Sequence, residues 1–189
     1  MKKIIIFASG SGSNAEQIAT YFKENKQVAV SLILSNNPKA GVLERAKRLQ
    51  IPSIVFDRRA FYHSQVVLDI VKAQSPDLIV LAGFLWKFPE NIIQEFPEKI
   101  VNIHPSLLPK YGGKGMYGQF VHQAVIDYKE SESGISIHYV NENYDEGAII
   151  FQAKTKVTNE DTADSLAQKI HQLEYEHFPK IIASLIEKK

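Results

Sequence analysis

Lys3-Ile4-Ile5-Ile6-Phe7-Ala8-Ser9-Gly10-Ser11-Gly12-Ser13-Asn14-Ala15 is the stretch on which the reading of the fold turns. Lys3 to Ala8 is an apolar, β-branched run and reads as a strand. Small and polar residues follow at once. Asn14 to Lys26 then reads as a helix with Ile18, Tyr21 and Phe22 on one face. A strand, a glycine-rich turn and a helix in that order open a βαβ unit. Working outward, the alternation repeats. Val28 to Leu34 is a strand closed by the turn cluster Ser35-Asn36-Asn37-Pro38, and Val42 to Leu49 a helix. Ile54 to Phe56 is a short strand and Phe61 to Gln74 a helix with Val66, Val67, Ile70 and Val71 inward. Leu78 to Ala82 is apolar throughout, as expected of a strand covered on both faces. Pro89 to Phe96 is a short helix with proline in its first turn, and Ile100 to Ile103 the next strand. This rhythm predicts a doubly wound, mostly parallel α/β sheet. Right-handed crossovers would bring the C-terminal ends of the strands to one rim, where such sheets bind ligands.

The later part changes character. Gly134 to Val140 alternates, with Ile135, Ile137 and Tyr139 against Ser136, His138 and Val140, and Ala148 to Val157 is a second strand-like run. These read as added antiparallel or mixed strands. Thr158 or Asp161 is expected to cap a last helix carrying Leu166, Ile170 and Leu173, and Pro179 to kink or restart it. With no repeat, low-complexity tract or linker, residues 1–189 read as a single domain.

Composition bounds the function. The chain is 44% hydrophobic and 23% charged, with a net charge of +1. No basic stripe marks a nucleic-acid or anionic-membrane surface, and no run approaches the roughly 20 apolar residues of a membrane span. Ser9-Gly10-Ser11-Gly12 interrupts the first apolar run too early for a signal segment, so the cytoplasm is the default location. Without cysteine there is neither disulfide nor thiolate chemistry. No H-E-x-x-H or clustered histidine spacing occurs, so no metal is expected.

Three features fall on or near the expected rim. In Ser9–Ala15 the glycines let backbone N–H groups approach an anion, and a helix start adds positive potential. Gly10-x-Gly12-x-x-Ala15 formally matches a dinucleotide fingerprint, but the second strand ends Leu34-Ser35-Asn36-Asn37 without the acidic residue that ribose would need. No Gly-Lys-Ser or Gly-Lys-Thr occurs, so a single phosphate fits better than a nucleoside triphosphate. The second feature is Asn102-Ile103-His104-Pro105, which puts an amide and an imidazole on one strand face, as needed to stabilise negative charge on a carbonyl oxygen. Polar residues at a strand end also commonly just satisfy loop backbone. The third is the acidic turn Asn141–Gly147, whose Asp145 would raise the His104 pKa and orient the ring if the two met. His63, His122, His138, His171 and His177 are weaker candidates. Trp86 and Phe88 are placed either to line a pocket for a flat heterocycle or to fill the core.

Four segments carry a resemblance. They are Ser9–Asn14, Leu81-Ala82-Gly83-Phe84, Asn102-Ile103-His104-Pro105-Ser106-Leu107-Leu108-Pro109-Lys110-Tyr111 and Asp145-x-Gly147. With them the chain resembles, nearly end to end, the folate-dependent glycinamide ribonucleotide formyltransferases. The resemblance implies a Rossmann-like formyltransferase fold and transfer of a formyl group from 10-formyltetrahydrofolate, as co-substrate, to glycinamide ribonucleotide in purine (IMP) biosynthesis. The amine would attack directly, with the oxyanion held by Asn102 and protonated His104 assisted by Asp145. It implies substrate-phosphate binding by Gly12, Ser13 and Asn14, and substrate binding by Glu174. It implies folate binding by Arg59, Leu85, Trp86, Lys87, Phe88, Asn102, Asn141, Glu142, Asn143, Tyr144 and Asp145. The N-terminal half would then serve phosphate and substrate, the C-terminal half folate and catalysis. Partners would be small molecules, with no nucleic acid or membrane, and monomer and homodimer both stay open. Two departures stand out: the glycine-rich Gly112–Gly118 insertion, which leaves a family histidine without an equivalent beyond His122, and Trp86 where several relatives carry arginine. A formylfolate hydrolase, a transferase acting on methionyl-tRNA or an amino sugar, and a phosphate-binding module without chemistry are the competing readings.

Overall fold

The computed structural model describes residues 1–187. One seven-stranded sheet organises them, in the order β3-β2-β1-β4-β5-β6-β7. The strands are β1 (Lys2–Phe7), β2 (Val28–Ser35), β3 (Ser53–Val55), β4 (Leu78–Leu81), β5 (Ile100–His104), β6 (Glu132–Tyr139) and β7 (Ile149–Lys156). β1 to β5 pair in parallel, and β6 and β7 add antiparallel. This is the doubly wound sheet with antiparallel additions that the β-α rhythm predicts. The strand order reverses between β1 and β4, and ligand crevices of open α/β sheets lie at that reversal.

The helices are α1 (Ser13–Tyr21), α2 (Gly41–Arg48), α3 (Arg58–Tyr62), α4 (Val66–Gln74), α5 (Glu90–Glu95), α6 (Gln119–Asp127) and α7 (Ala163–Glu187). Alternation along the strands divides the core in two. Ile4, Ile6, Val80, Val101 and Ile137 face a layer that includes Ile18 of α1, Val125 of α6 and Ile170, Phe178 and Ile182 of α7. Ile5, Phe7, Ile79 and Leu81 face Phe61, Val67, Val71 and Ile92. Asn102 and His104 point to this second face, and so do their β6 partners His138 and Ser136.

Several boundaries differ from the sequence expectation. α1 stops at Tyr21, because the Asn25 side chain accepts from the Gln27 and Val28 N–H groups at 2.8 and 3.0 Å and turns the chain into β2. The expected Phe61–Gln74 helix is two. Ser64 donates to the Ala60 carbonyl at 3.0 Å and accepts from Val66 N–H at 3.3 Å, competing with helical bonding at the break. The last helix is capped by Thr162, whose hydroxyl accepts from Ser165 N–H at 3.1 Å, while Asp161 binds Thr158 and Lys169. α7 runs through Pro179 without a restart. A proline inside a helix costs about 3 kcal/mol, and burial of Phe178, Ile182, Leu185 and Ile186 against the sheet offsets it.

Candidate active site

β5 ends where the loop after it turns back across the sheet. Asn102 and His104 emerge there on one face, opposite His138 and Ser136 of β6. The Ser136 hydroxyl donates to the Ser106 carbonyl at 2.7 Å and accepts from Leu108 N–H at 2.9 Å, which folds the Pro105–Tyr111 segment over β6. That places the Tyr111 carbonyl 2.7 Å from His104 Nε2, which donates to it. The other ring nitrogen, Nδ1, lies 3.5 Å from Asp145 Oδ2.

Asp145 gathers the remaining contacts. Gly113 N–H donates to its Oδ2 at 2.9 Å, the Asn102 amide reaches its Oδ1 at 3.5 Å, and His138 Nε2 lies 3.6 Å from Oδ1. The Asn102 amide nitrogen also lies 3.1 Å from His138 Nε2. Asp145 and Tyr111, the two partners of His104, both hold left-handed backbone, with φ of 55° and 56°. Such conformations persist where surrounding contacts over-determine them. Two residues after Asp145 the chain runs so close to β6 that a Cβ on Gly147 would collide with the Tyr139 carbonyl.

Burial pushes the His104 pKa down; the Asp145 carboxylate and the Tyr111 carbonyl push it up, and His138 lowers it further. The net shift is downward, so the resting ring is predominantly neutral near pH 7. The Asp145 contribution is upward, as expected of a nearby carboxylate, and burial outweighs it. Asp145 itself is pushed up by burial and pulled down more strongly by His138, His104 and the Gly113 N–H, ending below the ordinary carboxylate range.

The glycine-rich loop faces this cluster. Gly12 caps α1 with φ 77°, and a Cβ there would fall 2.5 Å from Val42 Cβ. The loop is braced from behind by Val42 N–H to the Gly10 carbonyl at 3.1 Å and Arg45 Nε to the Ser11 carbonyl at 2.8 Å. Its other side is tied in by the Ser9 hydroxyl, which accepts from Leu85 N–H at 2.9 Å. Asn14 donates to Glu174 of α7 at 2.9 Å. Burial pushes the Glu174 carboxyl up to about 7, with the Asn14 amide holding it back. A cavity of about 590 Å³ is lined by Gly10 to Asn14, by Asn102, His104 and Asp145, and by His122, His171 and Glu174.

A model of the formyl transferase family matches residues 2–182. The chain belongs to the formyl transferase family. It is 36% identical to the phosphoribosylglycinamide formyltransferase of Bacillus subtilis, over 98% of this chain and 95% of that protein. It is 37% identical to the enzyme of the same name from Haemophilus influenzae, over 96% of this chain and 86% of that one. The crystal structure of phosphoribosylglycinamide formyltransferase from Anaplasma phagocytophilum superimposes with a TM-score of 0.89 at 33% identity, covering 100% of this chain and 88% of that one.

In this formyl transferase the sequence-derived candidates separate into three groups. Gly12, Ser13, Asn14, Leu85, Asn102, His104, Tyr144, Asp145 and Glu174 line the main cavity. Trp86, Lys87, Phe88, Asn141 and Asn143 line a small annex of about 60 Å³, which also touches Asn102, Tyr144 and Asp145. Arg59 and Glu142 are exposed and line neither. Arg58 is exposed like Arg59, and its guanidinium lies 5.0 Å from the Trp86 ring centre in a hollow separate from the annex. Trp86 and Phe88 serve pocket and core together, packing with Phe56, Phe61 and Phe84.

Sequence reasoning ranked His138, His122 and His171 low, yet the formyl transferase brings all three to the site or its edge. The signal for His138 was its β6 register opposite Asn102, invisible until the pairing is known. The Gly112–Gly118 insertion is part of the cavity wall from Gly113 to Gly118. Among the described residues no group of three or more His, Cys, Asp or Glu is placed to hold a metal ion, and no helix is long and apolar enough to cross a membrane.

Proposed function

We propose that this chain transfers the formyl group of 10-formyltetrahydrofolate to the amine of glycinamide ribonucleotide, a step of purine (IMP) biosynthesis. The observation that carries the reading is that one cavity joins the Asn102–His104–Asp145 cluster to the Gly12–Asn14 loop. Its volume of about 590 Å³ lies in the range of small-molecule sites. The names of the relatives supply the substrate, and the residues present fit it. A glycine-rich helix N-terminus suits a phosphate. An annex walled by Trp86 and Phe88 beside the Asn141–Asp145 turn suits a flat heterocycle.

In this reading Gly12, Ser13 and Asn14 hold the substrate phosphate, and Glu174 holds substrate beside them. Leu85 to Phe88 and Asn141 to Asp145 hold the folate. The N-terminal half thus serves the phosphate and the C-terminal half the folate and the chemistry, within a single domain 1–189 working in the cytoplasm. Binding energy from the remote phosphate places the amine.

Formylfolate supplies an electrophilic formyl carbon. Asn102 Nδ2 and His104 Nδ1 both point at Asp145 over 3.5 Å contacts, so two nitrogens converge where negative charge is already accommodated. Attack is direct and needs no covalent enzyme intermediate. The neutral His104, with Nε2–H given to Tyr111, carries its Nδ1 lone pair on the Asp145 side, 3.5 Å from Oδ2, where it accepts the proton that the attacking amine gives up. The resulting imidazolium is held by Asp145 and, with the Asn102 amide, stabilises the oxyanion. It then returns the proton to the departing folate nitrogen.

The test is incubation of the protein with 10-formyltetrahydrofolate, with and without glycinamide ribonucleotide. Formylated ribonucleotide formed only with the amine present is the expected result. Deformylation by water alone, or no turnover, overturns the reading.

A further inference from the structure

We infer that Lys114, in the glycine-rich insertion, is the counter-charge for the substrate phosphate and so sets the preference for phosphorylated amines. This rests on the formyl-transfer reading above. The glycine loop offers the phosphate only neutral donors: backbone N–H groups, Ser11, Ser13 and Asn14. A phosphate monoester carries about −1.5 to −2 charges at pH 7. The same cavity already contains the carboxyl groups of Glu174 and Asp145. Neutral donors bind a dianion less strongly than charge-assisted ones, and the two acids raise the need for a cation.

The nearby cations do not meet it. Arg45 and Arg48 both pair with Glu16, and Arg45 Nε is given to the Ser11 carbonyl on the outer side of the loop. Neither lines the cavity. Lys114 is the only lysine or arginine among the described residues that do. It makes no hydrogen bond or ion pair with any described residue, whereas Lys72, Lys110, Lys154 and Lys169 are all paired.

Its backbone is placed for the task. Gly113 N–H is anchored to Asp145 at 2.9 Å, and Gly118 caps α6, so the segment is held at both ends. Gly113 and Gly115, on either side of Lys114, hold φ of 97° and 88°, conformations that only glycine adopts cheaply. The lysine is thus carried on a bend against the cavity, and its flexible four-carbon stem delivers a point charge of the kind that suits phosphate. Nothing in the mechanism above uses it.

The experiment compares glycinamide ribonucleotide with its dephosphorylated riboside in wild type, Lys114→Gln and Lys114→Arg. It also measures ribose 5-phosphate binding by calorimetry without folate. The expected result is a KM for the ribonucleotide at least about tenfold higher in Lys114→Gln, with the loss falling on KM rather than kcat. The KM for the riboside stays the same, Lys114→Arg restores most of the affinity, and ribose 5-phosphate binding weakens in parallel. Equal KM changes for both amines, no change for the ribonucleotide, or a change confined to the KM for formylfolate overturns the inference. If wild type binds ribose 5-phosphate through Lys114 but formylates nothing, the inference stands and the formyl-transfer reading falls. If wild type and Lys114→Gln bind ribose 5-phosphate equally, or neither binds it, the inference falls whatever the activity.

Discussion

Asn102 Nδ2 and His138 Nε2 face each other at 3.1 Å across the β5–β6 ladder. His138 gives its Nδ1–H to the Tyr139 carbonyl at 2.8 Å, which fixes the ring with Nε2 towards the amide. One N–H of Asn102 is thereby anchored. The other, at 3.5 Å from Asp145, is the looser contact and the one free to turn to a substrate oxygen. In the proposed mechanism His138 would act through Asn102, as a positioning residue.

Asn102→Ala removes the donor itself, and kcat is expected to fall roughly 10²-fold or more. His138→Leu keeps the donor but releases its anchor, a loss on the order of tenfold. Steady-state kinetics on variants whose circular dichroism matches wild type measures both. A His138→Leu enzyme as slow as Asn102→Ala would show that His138 does more than orient the amide.

The His104 ring is expected to titrate below the ordinary 6.5, because burial outweighs Asp145. Asp145→Asn removes an upward contribution, so the ring should titrate lower still. Imidazole proton resonances followed against pH report both values directly. An unchanged or higher His104 pKa in Asp145→Asn contradicts the assigned contact.

His122 is buried, its Nδ1 lacks a hydrogen-bond partner within the protein, and burial drives its pKa down to about 4. The folded pKa lies below the unfolded value, so its contribution to stability is present above pH 6.5 and lost as pH falls through 4. Wild type should therefore lose urea resistance over that interval, and His122→Leu should lose less. Parallel pH profiles for the two proteins would exclude His122 as the cause.

Glu174 behaves with the opposite sign. Its folded pKa of about 7 lies above the ordinary 4.5, so its contribution is full below 4.5 and lost as pH rises through 7. Glu174→Gln should melt above wild type at pH 8 and close to it at pH 4. The same variant should bind glycinamide ribonucleotide more weakly, so it separates a binding role from a stabilising one.

Gly12→Ala places a methyl group against Val42 at a backbone φ of 77°. The loop must shift, and the KM for the ribonucleotide should rise at least about tenfold from misplacement of the N–H groups. Val42→Ala removes the methyl that meets the new Cβ but leaves the Cβ and Cα of position 42 at 2.5 and 2.7 Å, so it should recover little. Full recovery in the double variant would show that the Val42 methyl alone carries the effect.

Much of this was legible in the chain itself. Alternating apolar runs gave the parallel strands because local pattern and burial agree there, and the glycines after β1 marked the turn that lines the cavity. Boundaries drifted where a side chain competed with the backbone, as Ser64 and Asn25 do. Arg59 was assigned by position, and both it and Arg58 lie exposed outside the cavity and its annex.

By itself the sequence determined the sheet class, the rim and the chemistry-bearing types Asn102, His104 and Asp145, since these follow from periodicity, turn residues and local motifs. Tertiary structure decided which groups meet. Asp145 reaches His104 only because β6 pairs antiparallel with β5 and the following turn folds back. Tyr111 and Gly113 reach His104 and Asp145 only because Ser136 holds the intervening loop. It also set the direction of the His104 pKa shift, because a pKa depends on the balance of burial against neighbouring charge. That balance sums over residues distant in sequence, and no local pattern encodes it.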